Sequence, residues 1–241
     1  MFKRVIIVLM CYLYNVNADC LIIMQNNQNI IRKGQCNVRY SPCSTFKIAI
    51  SLMGYNEGVL IDSSSPKLPF KEGYVDYIDT WKSEQTPTTW IKNSCVWYSQ
   101  LIVEKIGKDK FTDYVKKFNY GNEDVSGNDD KNSGFLKSWL TSSLKISPLE
   151  QMGFLQQFYH NQLPVNAEAY NKTKNLLYIK ELHGWQLYGK TGTCAGNKWF
   201  VGFLEKQNNN AMIVYFVDDI RNRTNITSYE TLIEKYFKQN V

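Results

Sequence analysis

Two side chains that could do chemistry together stand three residues apart in the stretch RYSPCSTFKIAISLMGY, residues 39–55: the hydroxyl of Ser44 and the amine of Lys47. Three residues make nearly one helical turn, so both side chains fall on one face. A serine becomes a nucleophile beside a base. A lysine with an ordinary pKa near 10.4 is protonated and cannot serve as one. Lowering that pKa by about 3 units corresponds to roughly 4 kcal/mol of lost ammonium stabilisation, which burial among apolar groups can supply. Phe46, Val96 and Trp139 are the expected walls. At a helix start the backbone amides and the dipole would also face an incoming oxyanion. The spacing alone proves little, since Ser-x-x-Lys also begins at Ser64 and at Ser142. SSPK lies in a proline-rich stretch and SSLK in what reads as a loop before a capping box; only STFK opens an apolar helix.

Two further motifs carry suitable groups. Lys190-Thr191-Gly192 occurs once, and on a strand Lys190 and Gly192 would share a face with Tyr188. A cation and a hydroxyl there suit a substrate carboxylate, and the small Gly192 lets an acyl group approach the backbone. The ordinary alternative is a surface strand with a glycine. Ser94, in NSCV, precedes an apolar run, and simple N-capping is the usual work of such a serine. No GxSxG elbow is present and neither His160 nor His183 has a serine partner, so an activated serine here requires a lysine base. With two histidines and no HExxH or CxxC pattern, a metal site is not expected.

The elements that must position these groups follow from the hydrophobic periods. LIIMQNNQNIIRKGQ, flanked by Cys20 and Cys36, reads as a hairpin that would bring the two cysteines together as a disulfide. The helix beginning near Ser44 should end by Gly54 or Gly58, and residues 62–90 read as a long irregular crossing. Helices are predicted over 95–107 and 108–118, broken at Gly107, and another from Ser147, whose Pro148 and Glu150 form a capping-box start. WQLYGKTGT, KWFVGFLEK and NAMIVYFVDD have strand composition and are separated by Gly/Asn turns; SYETLIEKYFKQ closes the chain as a helix. The expected fold is therefore of the α/β class, α+β in type: an antiparallel sheet built from both termini and a helical lobe from the middle.

Composition narrows the setting. The 241 residues are 44% apolar and carry a net charge of +6, or +4 once Lys3 and Arg4 are set aside. The excess is spread along the chain without a Lys/Arg block, so no nucleic-acid partner is expected. Residues 1–18, MFKRVIIVLMCYLYNVNA, have the layout of a secretory signal peptide cleaved after Ala18, leaving 19–241 as one catalytic domain. The run from Val5 to Tyr14 is too short for a membrane span, so no stable membrane insertion is expected. Export would place the remaining five cysteines in an oxidising compartment, periplasmic or extracellular. Five is odd, so at least one thiol stays free. The pairing of Cys43, Cys95 and Cys194, each adjoining one of the motifs, is left open.

In order along the chain, STFK, SCV, YGN (Tyr120 to Asn122), the SWLTSSLKISPLEQ segment around Trp139, KTG and WFVGF make the sequence resemble the class D β-lactamases, the oxacillinases, from about Cys20 to the C-terminal helix. SxxK, SxV and KTG are shared with penicillin-binding proteins; YGN and the tryptophan segment point to class D. The resemblance implies a serine β-lactamase/penicillin-binding-protein-like fold and hydrolysis of small-molecule β-lactams through an acyl-enzyme on Ser44. It implies an oxyanion hole from the N–H groups of Ser44 and Thr193, and Lys47 as general base, carried as N6-carboxylysine. Trp139 would hydrogen-bond that carbamate, Ser94 would relay a proton to the leaving nitrogen, and Val96, Lys190, Thr191 and Gly192 would contact substrate. No cofactor beyond CO2 or bicarbonate is implied. The competing readings are a penicillin-binding transpeptidase or carboxypeptidase, and a β-lactam sensor that acylates without turnover. One departure stands out. Many class D enzymes carry an arginine near the start of the C-terminal helix, where this chain has Tyr229 or a neighbour; Arg221 and Arg223 lie earlier, in an expected loop, and are expected to be solvated.

Overall fold

The computed structural model describes residues 19–127, 133–218, 220 and 228–238. The expected signal peptide, Arg221 and Arg223 lie outside the described residues. Six antiparallel strands form one sheet: β1 (Cys20–Gln25), β2 (Gln28–Gly34), β3 (Tyr178–Leu182), β4 (Trp185–Cys194), β5 (Asn197–Lys206) and β6 (Asn209–Val217). Their spatial order is β2-β1-β6-β5-β4-β3, so the first strand of the domain pairs with the last and both termini build the sheet. The hairpin β1–β2 is closed at its open end by a Cys20–Cys36 disulfide with a Cα–Cα distance of 5.1 Å.

Residues alternate across the sheet. Cys20, Ile22 and Met24 join the large core under the helical lobe, while Leu21 and Ile23 join a second apolar cluster with Phe200, Ile213, Leu232 and Ile233. The second cluster lies on the other face, covered by the C-terminal helix α7 (Tyr229–Lys238). Burial on both faces explains why β5 and β6 read as nearly continuous apolar runs rather than as strict alternation.

The lobe contains α1 (Lys47–Asn56), α2 (Pro87–Asn93), α3 (Val96–Ile106), α4 (Lys108–Lys117), α5 (Pro148–Tyr159) and α6 (Ala167–Leu176). Helix α1 is its axis: every residue from Lys47 to Tyr55 is buried, as expected of a helix that is apolar all round. Helix α5 starts with the expected capping box, Ser147 accepting from the Glu150 amide while the Glu150 carboxylate takes the Ser147 amide. Residues 62–86 cross irregularly, pinned by a bridge between Leu68 and Gln85. Helices α2 and α6 and strand β3 were not legible in the sequence; α2 begins inside the 62–90 stretch expected to be irregular, with Thr86 and Thr89 forming a capping box and Pro87 at its first position. Strand β3 exposes four of its five residues, so no apolar alternation marks it; α6 buries only Ala169, Tyr170 and Thr173 and so shows no apolar stripe, although Asn166 caps it by accepting from the Ala169 amide.

Candidate active site

The nucleophile candidate does not sit on the α-helix itself. Cys43–Phe46 form a 3-10 turn that leads into α1, and the tighter winding brings Ser44 and Lys47 together at the helix entrance. Lys47 Nζ lies 3.4 Å from Ser44 Oγ. Lys47 is wholly buried, whereas Ser44 keeps 9% of its surface open. Burial pulls the Lys47 ammonium down to about 7; the charge of Lys190 adds to the effect and Cys95 opposes it. At neutral pH this amine is therefore available as a proton acceptor. The amides around Ser44 are mostly occupied: Cys43 N–H donates to the Trp139 carbonyl at 3.0 Å and Thr45 N–H to the Pro42 carbonyl at 3.2 Å. The Ser44 N–H between them has no acceptor among the described residues, leaving a donor for an oxyanion.

Ser94 turns out not to be an N-cap. It occupies a left-handed conformation (φ 55°, ψ 31°) at the C-terminus of α2, and Cys95 takes the cap of α3. The sharp connection frees the Ser94 hydroxyl to face β4, where it accepts from the Lys190 ammonium at 2.5 Å. Lys190 is also 3.1 Å from the Thr191 carbonyl and 3.4 Å from Thr191 Oγ1. Burial lowers its pKa to about 8. The pocket thus holds two buried lysines, and an arriving carboxylate would stabilise the charged form of Lys190. Val96, the first residue of α3, is buried beside them in the same core as Phe46 and Trp139.

Strand β4 presents its backbone to this pocket. The two-residue turn Ala195-Gly196, with φ values of 51° and 88°, joins Cys194 to Asn197 as a closing pair. In such a hairpin the closing pair is hydrogen-bonded and the N–H groups of alternate residues then point away from the partner strand. The parity is fixed by Gly189, whose N–H donates outward to the Leu177 carbonyl at 2.8 Å. The amides of Thr191 and Thr193 share that direction, and β3 pairs with β4 no further than Tyr188, so they face an unpaired edge. Gly192 faces the nucleophile turn: a Cβ there would lie 2.9 Å from the Pro42 carbonyl oxygen and 3.1 Å from the Thr45 nitrogen. Its smallness thus serves the approach of the Ser44 turn rather than room for an acyl group. The two elements are also joined covalently, Cys43 to Cys194, with a Cα–Cα distance of 5.9 Å.

The arrangement has relatives. The penicillin-binding protein transpeptidase domain matches residues 11–235. β-Lactamase OXA-9 of Klebsiella pneumoniae is 37% identical over 203 residues, 78% of this chain and 74% of that one. β-Lactamase OXA-1 of Escherichia coli is 37% identical over 204 residues, 80% and 72% of the two chains. The crystal structure of the class D β-lactamase OXA-427 superposes with a TM-score of 0.81 at 36% identity, covering 92% of this chain and 99% of that one. The chain belongs to the class D β-lactamase family.

The segments that distinguish class D from its wider kin act here as scaffolding for the Ser44–Lys47 turn. Gly121 of YGN has φ 62°, and a Cβ on it would meet the Lys145 carbonyl oxygen. Asn122 donates to the Ser143 carbonyl at 2.9 Å and accepts from the Lys145 amide at 2.9 Å, stitching the YGN turn to the loop that follows Trp139. Tyr120 packs edge-on against Phe46, with ring centres 4.9 Å apart. Trp139 stacks on Phe46 at 5.7 Å and is fully buried, yet its indole N–H has no acceptor among the described residues. A buried donor left unmatched in this way is costly, and the described residues supply no partner for it. Lys145 of the SSLK motif, read as loop, is partly buried and donates to Ser41 Oγ at 2.7 Å, while Lys67 of SSPK pairs with Glu84 at the surface.

At the start of α7 the Tyr229 ring stacks on Phe200 with centres 4.1 Å apart, in the cluster on the far side of the sheet. It supplies no cation in place of the family's arginine. His160 bonds Asn27 and His183 sits in the β3–β4 turn, so neither histidine bears on Ser44. Of the three cysteines whose pairing the sequence leaves open, Cys43 and Cys194 form the bridge, and both adjoin expected oxyanion donors. Among the described residues Cys95 is the free cysteine; it is buried, and burial raises its pKa to about 11.

Proposed function

We propose that this protein is a serine β-lactamase that hydrolyses β-lactam antibiotics through an acyl-enzyme on Ser44. The observation that carries the reading is the wholly buried Lys47, 3.4 Å from Ser44 Oγ and with its pKa pulled down to about 7. Ser44 Oγ attacks the lactam carbonyl as its proton passes to the base at Lys47, forming the C–O bond. The oxyanion receives the N–H of Ser44 and the outward N–H of Thr193. The C–N bond then breaks, and the leaving nitrogen takes a proton from Ser94, which recovers one from the protonated base at Lys47, so that the base is free again and Lys190, hydrogen-bonded to Ser94, keeps its charge. Lys190 and Thr191 hold the substrate carboxylate and Val96 lines the approach, while Gly192 lets the Ser44 turn lie against β4. Water, activated by the same base, releases the acyl group from Ser44.

Carbon dioxide fits the site as a partner of Lys47. A neutral amine can add CO2, and the resulting carboxylate would supply a base that reaches further into the site and an acceptor for the unmatched Trp139 indole N–H. Trp139 stacks on Phe46, the residue before Lys47, in the same buried core. For localisation the reading is export to the periplasm or the cell exterior, supported by the leader-like residues 1–18 and by a disulfide-bonded domain. Among the described residues no helix is long and apolar enough to cross a membrane.

The test is to count benzylpenicillin turnovers per protein in CO2-depleted buffer at pH 6 and again with bicarbonate restored. Many turnovers that depend on bicarbonate support the proposal. A single burst per chain would instead make the protein an acylated sensor or transpeptidase, and turnover indifferent to bicarbonate would leave an unmodified lysine as base.

A further inference from the structure

The bridge between Cys43 and Cys194 joins residues 151 apart in sequence, and each is the immediate neighbour of one oxyanion donor: Cys43 precedes Ser44 and Cys194 follows Thr193. We propose that this disulfide is a positioning element that fixes the two amides of the oxyanion hole against each other, so that acylation of Ser44 depends on the bridge being oxidised. The proposal rests on the reading of Ser44 as the nucleophile.

Three observations support it. Beyond Tyr188 the outer edge of β4 has no strand beside it among the described residues, so the Thr193 end of the strand is held in the sheet by β5 on one side. Its ties to the helical lobe are the Lys190–Ser94 hydrogen bond, the close approach of Gly192 to the Pro42–Thr45 turn, and this disulfide. Of the three, the disulfide is the one that directly links the neighbours of the two donors. Second, Cys43 has φ 53°, a conformation that non-glycine residues rarely adopt and that persists where surrounding ties enforce it. Those ties are the Cys43 N–H bond to the Trp139 carbonyl and the bridge itself. Third, Cys43 is buried while Cys194 is partly exposed at the end of its hairpin, the side from which a small reductant would approach. Reduction adds two electrons and two protons to give two thiols. The 3-10 turn and the β4 hairpin then remain in contact through Gly192 but are free to shift by fractions of an ångström.

Loss of one oxyanion donor typically lowers a rate constant by about 100- to 1000-fold. Displacement of one donor should therefore lower it by about tenfold or more. The experiment measures the second-order rate of Ser44 acylation by benzylpenicillin from quenched intact mass, in wild type with and without tris(2-carboxyethyl)phosphine, and in Cys194→Ala with and without it. The expected result is a fall of about tenfold or more in reduced wild type and in Cys194→Ala, with unchanged far-ultraviolet circular dichroism. The acid limb of the pH profile, set by Lys47, should stay in place, and the phosphine should add no further loss to Cys194→Ala even though it also opens Cys20–Cys36. A purely structural bridge would lower the melting temperature and leave the acylation rate at 10 °C unchanged, which would overturn the proposal. If Cys194→Ala fails to fold, the reduced wild type decides. If oxidised wild type is not acylated at Ser44, the nucleophile reading itself fails; if it is acylated and the reduced and variant proteins match it, the positioning role alone fails.

Discussion

Replacing Lys47 by methionine should stabilise the fold while abolishing turnover, and the size of the gain can be worked from its burial. A fall of the lysine pKa from 10.5 to about 7 corresponds to about 5 kcal/mol at 1.36 kcal/mol per pKa unit. The folded-state pKa is the lower one, so between about pH 7 and 10.5 the unfolded chain binds the extra proton. Stability of the wild type therefore rises with pH through that window, by up to about 1.4 kcal/mol per pH unit from this group. Methionine has a similar shape and carries no charge into the core. Lys47→Met should accordingly be more stable than wild type by about 4 kcal/mol at pH 7, with the difference shrinking towards zero near pH 10. The assay is urea unfolding followed by tryptophan fluorescence at pH 7, 8, 9 and 10, with disulfides intact and in CO2-free buffer so that the amine is not consumed. Added bicarbonate should then stabilise wild type but not Lys47→Met, since a ligand that binds only the native state adds to its stability. A pH-independent difference, or a variant less stable throughout, would refute the claim that the fold holds Lys47 as a buried, readily neutral amine.

Gly192→Ala should cut kcat/KM for benzylpenicillin by about 100-fold or more, because its Cβ must push the Pro42–Thr45 backbone, and with it Ser44, away from β4; near-wild-type kinetics would show that the turn yields freely. Lys190→Ala should raise KM for penicillins by about tenfold or more, whereas Ser94→Ala should lower kcat with little change in KM; steady-state kinetics on both variants checks the split, and the reverse pattern would exchange the two roles. Trp139→Phe, which deletes the indole N–H and keeps the stack on Phe46, should need several-fold more bicarbonate for half-maximal activity, and an unchanged bicarbonate dependence would remove Trp139 from that role.

Much of this site was legible because the groups that do the chemistry sit in contiguous motifs on strongly periodic elements. STFK stood out from the other two Ser-x-x-Lys matches because an unbroken apolar helix followed it, and that helix proved wholly buried. The sheet built from both termini followed from strand composition at each end of the chain. What could not be read depended on tertiary context. Ser94 reads in sequence either as an N-cap or, by the resemblance, as a proton relay; the N-cap alternative falls only with the two-residue link that leaves Ser94 left-handed at the end of α2 and gives the cap of α3 to Cys95. Gly192 looked like a space for substrate, and the space is filled by the Pro42–Thr45 turn. YGN could be recognised as a landmark, but its work, hydrogen-bonding the loop after Trp139, spans more than twenty residues and leaves no local pattern. Strand β3 and helix α6 lacked apolar alternation, and the Cys43–Cys194 pairing required knowing that β4 lies against the nucleophile turn.

The most direct measurement of the central claim is rapid-quench mass spectrometry, with peptide mapping, of wild type and Lys47→Ala mixed with benzylpenicillin in bicarbonate buffer. The Ser44–Lys47 mechanism predicts a penicilloyl adduct on the peptide containing Ser44 that appears and disappears within turnover in wild type. In Lys47→Ala the same adduct should form slowly and then persist, because the base for the attacking water is gone. An adduct on another residue, or a Lys47→Ala protein that clears its acyl group as fast as wild type does, would contradict it.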